Sequence, residues 1–225
     1  MSKKFATLNL ILMAAVVLGD IIYMEVGTLF LKGTLSCGFV SIGVVNLIYA
    51  LRSKSPMRYP LILTIGLFFA MLGDIVLGLT FIPGVVLFAL GHVFYCIAFA
   101  GLCPLSRWDV IFSAAFFALA VGIIKFLPVL DFGSSLLENI CLVYGFIISC
   151  MVGKSLGNYR VEHTRANLIA AVGCMMFYFS DVMLVLAWFG NGPRLTDILC
   201  LITYYPGQCL LAHGMYHYVI KELRG

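Results

Sequence analysis

Residues 72–77, LGDIVL, put Asp74 in the middle of a stretch that is otherwise almost wholly apolar, and residues 179–184, FSDVML, repeat the cassette around Asp181. Apolar runs of about 20 residues are long enough to cross roughly 30 Å of hydrocarbon. An ionisable group inside such a run costs several kcal/mol unless it is partnered, so each aspartate is read first as functional. Working outward, further runs of the same kind fall at 5–25, 31–51, 59–79, 82–102, 108–127, 134–154, 167–189 and 196–220. The breaks between them carry turn chemistry, as in RSKSPMRYP at 52–60, CPLSRWD at 103–109, GNYRVEHTR at 157–165 and GNGPR at 190–194. The expected fold is therefore all-α: a polytopic membrane protein whose 225 residues form one integral membrane domain, a bundle of eight transmembrane helices joined by short loops.

Composition agrees with this. The chain is 63% hydrophobic and 11% charged, with a mean hydropathy of +1.09, a balance that excludes an ordinary soluble domain. Cytoplasmic loops collect Lys and Arg. Lys3, Lys4, Arg52, Lys54, Arg58, Arg107, Lys154, Arg160, Arg165, Lys221 and Arg224 fall on one side of the eight-span pattern, against Lys32, Lys125 and Arg194 on the other. Both termini are thus expected in the cytoplasm, and the first helix, which shows no small-residue cleavage site, is expected to be retained. The net charge of +4 is a topological bias with some affinity for membrane lipid, and no basic stripe with interleaved aromatics points to nucleic acid. The eight cysteines lack any C-x-x-C spacing and read as small buried hydrophobes.

Asp74 and Asp181 both lie roughly 21–24 Å from the cytoplasmic boundary at 1.5 Å per residue, so they share a level. Asp20, in VLGDIIYME, is nearer the exit of the first helix, where snorkelling to water accounts for it. His92 and Tyr95, in FALGHVFYCIAF, stand on one face of the fourth helix, either as hydrogen-bonded bundle residues or as part of a site. In the eighth helix, TYYPGQCLLAHG, Pro206 and Gly207 free backbone groups, and Tyr204, Tyr205 and Gln208 are natural occupants of the resulting cavity. Lys32, at the outer start of the second helix, and Asn46, Tyr144 and Asn167 either line that cavity or satisfy one another. His213 and His217 have the i, i+4 spacing of a metal pair, but no third ligand accompanies them, so no metal and no cofactor is expected. The aspartates at 20, 74 and 181 hint at a repeated unit, although the matching position near 128 is Pro128.

Four ordered blocks, FFAMLGDIVLGL, VVLFALGHVFYCIAF, AVGCMMFYFSDVMLVLAWF and LITYYPGQCLLAHG, resemble the lysoplasmalogenase-like YhhN family of bacterial and animal membrane proteins, from Lys32 onward. The resemblance implies eight spans and hydrolysis of the vinyl ether bond of a lysophospholipid-like substrate, with essential intramembrane aspartates at Asp74 and Asp181. His92, Tyr95, Tyr204, Tyr205, Gln208, Lys32 and Ser180 then become the candidate substrate-binding residues. It also implies a setting in a bacterial cell membrane. Lys32-Gly33 stands where the family usually has Lys-Pro, and Tyr205-Pro206-Gly207-Gln208 departs from its last block, which bears on the shape of the cavity. Two carboxyl groups in a dry cavity push each other's ionisation apart, leaving one acid and one anion. Asp74 is the first choice as acid, with the assignment left open. The alternative is a proton- or ion-coupled transporter of a small molecule or lipid that uses the same buried aspartates. Oligomeric state is not legible.

Overall fold

In the computed structural model, which describes residues 2–223, the chain forms eight helices: α1 (Ser2–Val26), α2 (Leu29–Arg52), α3 (Arg58–Leu77), α4 (Phe81–Ala100), α5 (Arg107–Phe126), α6 (Ser135–Val161), α7 (Arg165–Phe189) and α8 (Arg194–Glu222). All eight are long and apolar enough to cross a membrane. Arg224, counted above with the cytoplasmic basic residues, lies outside the described residues.

The helices begin where a polar side chain can take up an orphan backbone donor. Thr28, Ser134 and Thr164 cap α2, α6 and α7 by accepting from Leu31, Leu137 and Asn167 backbone N–H groups, respectively. Gly27, with φ of +64°, turns the chain between α1 and α2 in a conformation that side chains disfavour. Successive helices pack as antiparallel hairpins, with α3 on α4, α5 on α6 and α7 on α8, while α8 also rests against α1 and α2. Ser2 Oγ lies 2.8 Å from Tyr216 Oη, so the two ends of the chain share one end of the bundle. The outward surface is apolar, with Leu10, Ile11, Leu18 and Phe126 all more than half exposed. Such a belt is a liability in water and a requirement in lipid.

One boundary differs from the expected pattern by more than three residues. The sixth span was read as ending at 154 with a break from 157, whereas α6 continues to Val161. The reason is Lys154, counted above as a loop cation. Its side chain is only 6% exposed, its Nζ lies 3.0 Å from Asp109 Oδ2, and it donates to the carbonyls of Cys103 and Pro104. With three acceptors the ammonium is satisfied inside the protein, and the helix carries Ser155, Gly157 and Asn158 buried beyond it. Asp109 Oδ2 also accepts from the Ser106 backbone N–H at the start of α5.

Gly153 and Gly157 are what bring α6 close enough for this lock. A Cβ at Gly157 would overlap Asp109 Oδ1, and one at Gly153 would overlap Ser113. Gly157→Ala is therefore expected to lower stability by about 1–3 kcal/mol through overpacking. Gly122→Ala, where an added Cβ meets nothing, is expected to raise it by up to about 1 kcal/mol through helix propensity. Thermal melting of both variants in detergent checks the pair; equal melting temperatures would remove the close-packing account.

Candidate active site

Near the end of the bundle away from the chain termini, three helices converge on Asp74. From α2, Ser36 Oγ donates to Asp74 Oδ2 at 2.6 Å, and Lys32 Nζ lies 3.1 Å from Oδ1. From α8, Tyr205 Oη donates to Oδ2 at 2.9 Å. Lys32 and Ser36 are four residues apart on α2, which stacks them on one face. Asp74 is 4% exposed, and this donor set, one of it charged, is what a carboxylate requires so far from water.

Asp181 on α7 has its own partners. Tyr144 Oη, from α6, donates to Asp181 Oδ2 at 2.5 Å and lies 2.7 Å from His92 Nε2, from α4. Because the tyrosine gives its proton to the carboxylate, its oxygen accepts from the imidazole, which puts a proton on Nε2. The order is then His92 to Tyr144 to Asp181. His92 Nδ1 is buried and has no partner.

Between the two clusters stand Phe88, Phe177 and Tyr204, with ring centroids 5.3–6.0 Å apart. Phe88 lines the cleft that reaches Asp181 and lies against Gly73, the residue before Asp74. Among the described residues no hydrogen bond or ion pair joins Asp74 to Asp181. Each carboxylate thus forms a half-site with its own donors.

The other candidates divide. Tyr95 Oη donates to Gln208 Oε1 at 2.8 Å, leaving Gln208 Nε2 buried without a partner, and Tyr204 Oη is likewise buried and free. Ser180 faces Cys200 and touches neither carboxylate. Asn46 exchanges amide hydrogen bonds with Asn9 at the other end of the bundle, and Asn167 bonds the backbone where α6 gives way to α7, so neither enters the site. Asp20 departs from the snorkelling expected of it: it is 2% exposed and its Oδ1 is unpartnered, because α2 and α8 cover the face of α1 that carries it. Ser36 was missed from sequence, although its spacing from Lys32 was the available signal. Among the described residues no three His, Cys, Asp or Glu side chains converge, so His213 and His217 find no third ligand.

Two apolar clefts flank Asp181 and Tyr144. One runs between α5, α6 and α7 past Ala120, Ile123, Gly145 and Val182. The other lies on the α4 side past Phe81, Val85 and Phe88. Asp181, 12% exposed at its side chain, is the carboxylate that these recesses reach.

Residues 35–215 match the YhhN family model. The chain belongs to the YhhN family. No match is found among curated proteins or among solved structures. The YhhN span holds every residue of the two half-sites except Lys32, which stands three residues ahead of it. In this YhhN chain Lys32 is nonetheless the counter-ion of Asp74. Lys32→Met, which leaves a buried carboxylate without its cation, is expected to cost about 3–5 kcal/mol. Adding Asp74→Asn to it should recover most of that loss. A double-mutant cycle read by melting tests this, and additive losses would mean that the ion pair does not form.

Proposed function

We propose that this YhhN protein is an intramembrane hydrolase of the lysoplasmalogenase type, cleaving the vinyl ether bond of a lysophospholipid to a fatty aldehyde and a glycerophospho-alcohol. The observation that supports this most is that Asp181 and Tyr144, the latter hydrogen-bonded to His92, line clefts whose other walls are largely apolar. Vinyl ethers hydrolyse when a proton is added to the alkene carbon farther from oxygen. The resulting oxocarbenium ion takes up water at the carbon next to oxygen, and the hemiacetal then breaks its C–O bond, returning the proton. The net reactant is one water.

Asp181 is the proton donor in this reading, which reverses the first choice made from sequence. Its Oδ2 is held by Tyr144, so Oδ1 carries the proton to the alkene carbon, and the Tyr144–His92 chain positions and reloads it. Asp74, neutralised by Lys32, is a fixed anion that holds Tyr205 and biases the site towards the cationic intermediate. Lys32 has further N–H donors for a phosphate. Tyr204 Oη, Gln208 Nε2 and His92 Nδ1 are buried polar atoms without a protein partner. Ser180, without a contact to either carboxylate, has a packing role.

Purified protein offered a lysoplasmalogen in detergent should release aldehyde. Asp181→Asn should cut turnover by about 10²- to 10⁴-fold while remaining folded, and so should Asp74→Asn combined with Lys32→Met, which removes the ion pair without leaving Lys32 a buried, unpaired ammonium. Tyr144→Phe should fall by less, with a changed pH profile. A folded Asp181→Asn protein that turns over at the parental rate would end this mechanism. Solute flux in sealed vesicles with no aldehyde would favour the transporter.

The same reading places both termini in the cytoplasm, and so puts the two half-sites in the outer half of the membrane. Reporter fusions at Ser2 and Leu223 should both report the cytoplasmic side. A periplasmic or extracellular signal from both would invert the site to the inner half.

A further inference from the structure

The two halves of the chain are built alike. Buried Leu63, Gly66, Leu67, Ala70 and Gly73 on α3 recur on α7 as buried Ala170, Gly173, Cys174, Phe177 and Ser180, each 107 residues later, the same interval as from Asp74 to Asp181. On α4 and α8 the interval is 116: Phe88, Gly91, His92 and Tyr95 answer Tyr204, Gly207, Gln208 and Leu211, all buried. Gly66 and Gly91 bring α3 and α4 into close contact, with Cβ-to-carbonyl distances of 3.1–3.2 Å for an added Cβ. Gly173 and Gly207 do the same for α7 and α8 at 3.0–3.1 Å. Across the halves, α2 packs on α8 as α6 packs on α4. The donors obey the same exchange. Each aspartate takes a hydroxyl from the second helix of its own half, Ser36 or Tyr144. Each also takes a partner from the last helix of the other half, directly from Tyr205 or through the tyrosine from His92.

The exchange fails at two places. Lys32 has no basic counterpart, because α6 carries no Lys or Arg between Ser135 and Gly153. And α1 packs on both α2 and α8, whereas α5 has extensive contact among the described residues with α6 alone. The first failure neutralises Asp74. The second leaves the narrow apolar cleft between α5 and α7, with Asp181 on its wall.

We infer that the bundle is a duplicated four-helix unit whose two carboxylate half-sites are no longer equivalent, the Asp74 half-site being closed and the Asp181 half-site taking one aliphatic chain from the bilayer through the cleft between α5 and α7. The occupant follows from the surroundings. The cleft lies within the membrane-spanning length of three helices, Ile123, Val182 and Val185 line it, and the medium at that depth is hydrocarbon. A chain there brings the bond next to its polar end towards Asp181. The inference rests on the hydrolase reading for the identity of the reacting group, though not for the route.

The test uses the full chain in nanodiscs and a single-chain phospholipid carrying a diazirine in its chain. Saturable photolabelling is expected on α5, α6 and α7 around Ile123, Gly145 and Val182, displaced by excess unlabelled single-chain lipid and much less by diacyl phosphatidylcholine. Ile123→Trp, and independently Val182→Trp, should weaken that labelling about tenfold by filling the cleft at a cost of about 1.4 kcal/mol. Leu18→Trp, on the exposed face of α1, should leave it unchanged. Saturable labelling around Asp74 on α1–α3 would overturn the inference, as would equal displacement by the diacyl lipid or no saturable labelling at all. Labelling at the cleft in a protein that releases no aldehyde would keep the route and remove the hydrolase.

Discussion

A charge far from water must be met by another group of the same protein, and the bundle is arranged around that requirement. Lys32 meets Asp74, and Lys154 meets Asp109. Each pair ties two helices whose remaining contacts are apolar and non-directional, so the ionic contact fixes a register that hydrocarbon packing alone leaves loose. In both places a residue four positions along or a nearby backbone carbonyl completes the set of partners. The close glycines of α3, α4, α6, α7 and α8 follow from the same demand, since short side-chain hydrogen bonds between helices need backbones that approach closely.

Hydropathy made the eight helices legible, because a span must be apolar over its whole length whatever it packs against. The places of Asp74 and Asp181 along their helices are legible for the same reason, each standing 16 residues beyond the first residue of its helix. What sequence alone did not give is lateral position. A carboxylate's angular place around its helix is visible, but which helix it faces depends on the order in which eight cylinders are packed. Hence the sequence sets Asp74 and Asp181 in one cavity, while the aromatic rings that stand between their two sets of donors come only from the packing. Lys154 was read as a loop cation because a basic residue beside Gly-Asn looks like a span's end, and its partner Asp109 is 45 residues away. Ser36 was invisible for a simpler reason: serine is common in spans and gains meaning only from Asp74 at 2.6 Å. Asp20 misled in the other direction, since closeness to a helix end suggested water that neighbouring helices exclude.

In the proposed hydrolase, the unequal treatment of two similar carboxylates is how one fold would obtain distinct chemical roles from one residue type. A carboxylate whose lone pairs are occupied by two hydroxyls and an ammonium is a fixed field source. One held through a single oxygen keeps the other available for transfer. The difference is made entirely by neighbours: Lys32, Ser36 and Tyr205 on one side, Tyr144 and His92 on the other.

The layer of Phe88 and Phe177 has a further effect. A membrane that holds an ion gradient is short-circuited by any continuous file of hydrogen-bonded groups through its thickness, and this chain buries acids, an imidazole and several phenols in its interior. Rings that neither donate nor accept interrupt such a file. Standing between the Asp74 and Asp181 clusters, Phe88 and Phe177 keep the two hydrogen-bond networks separate among the described residues.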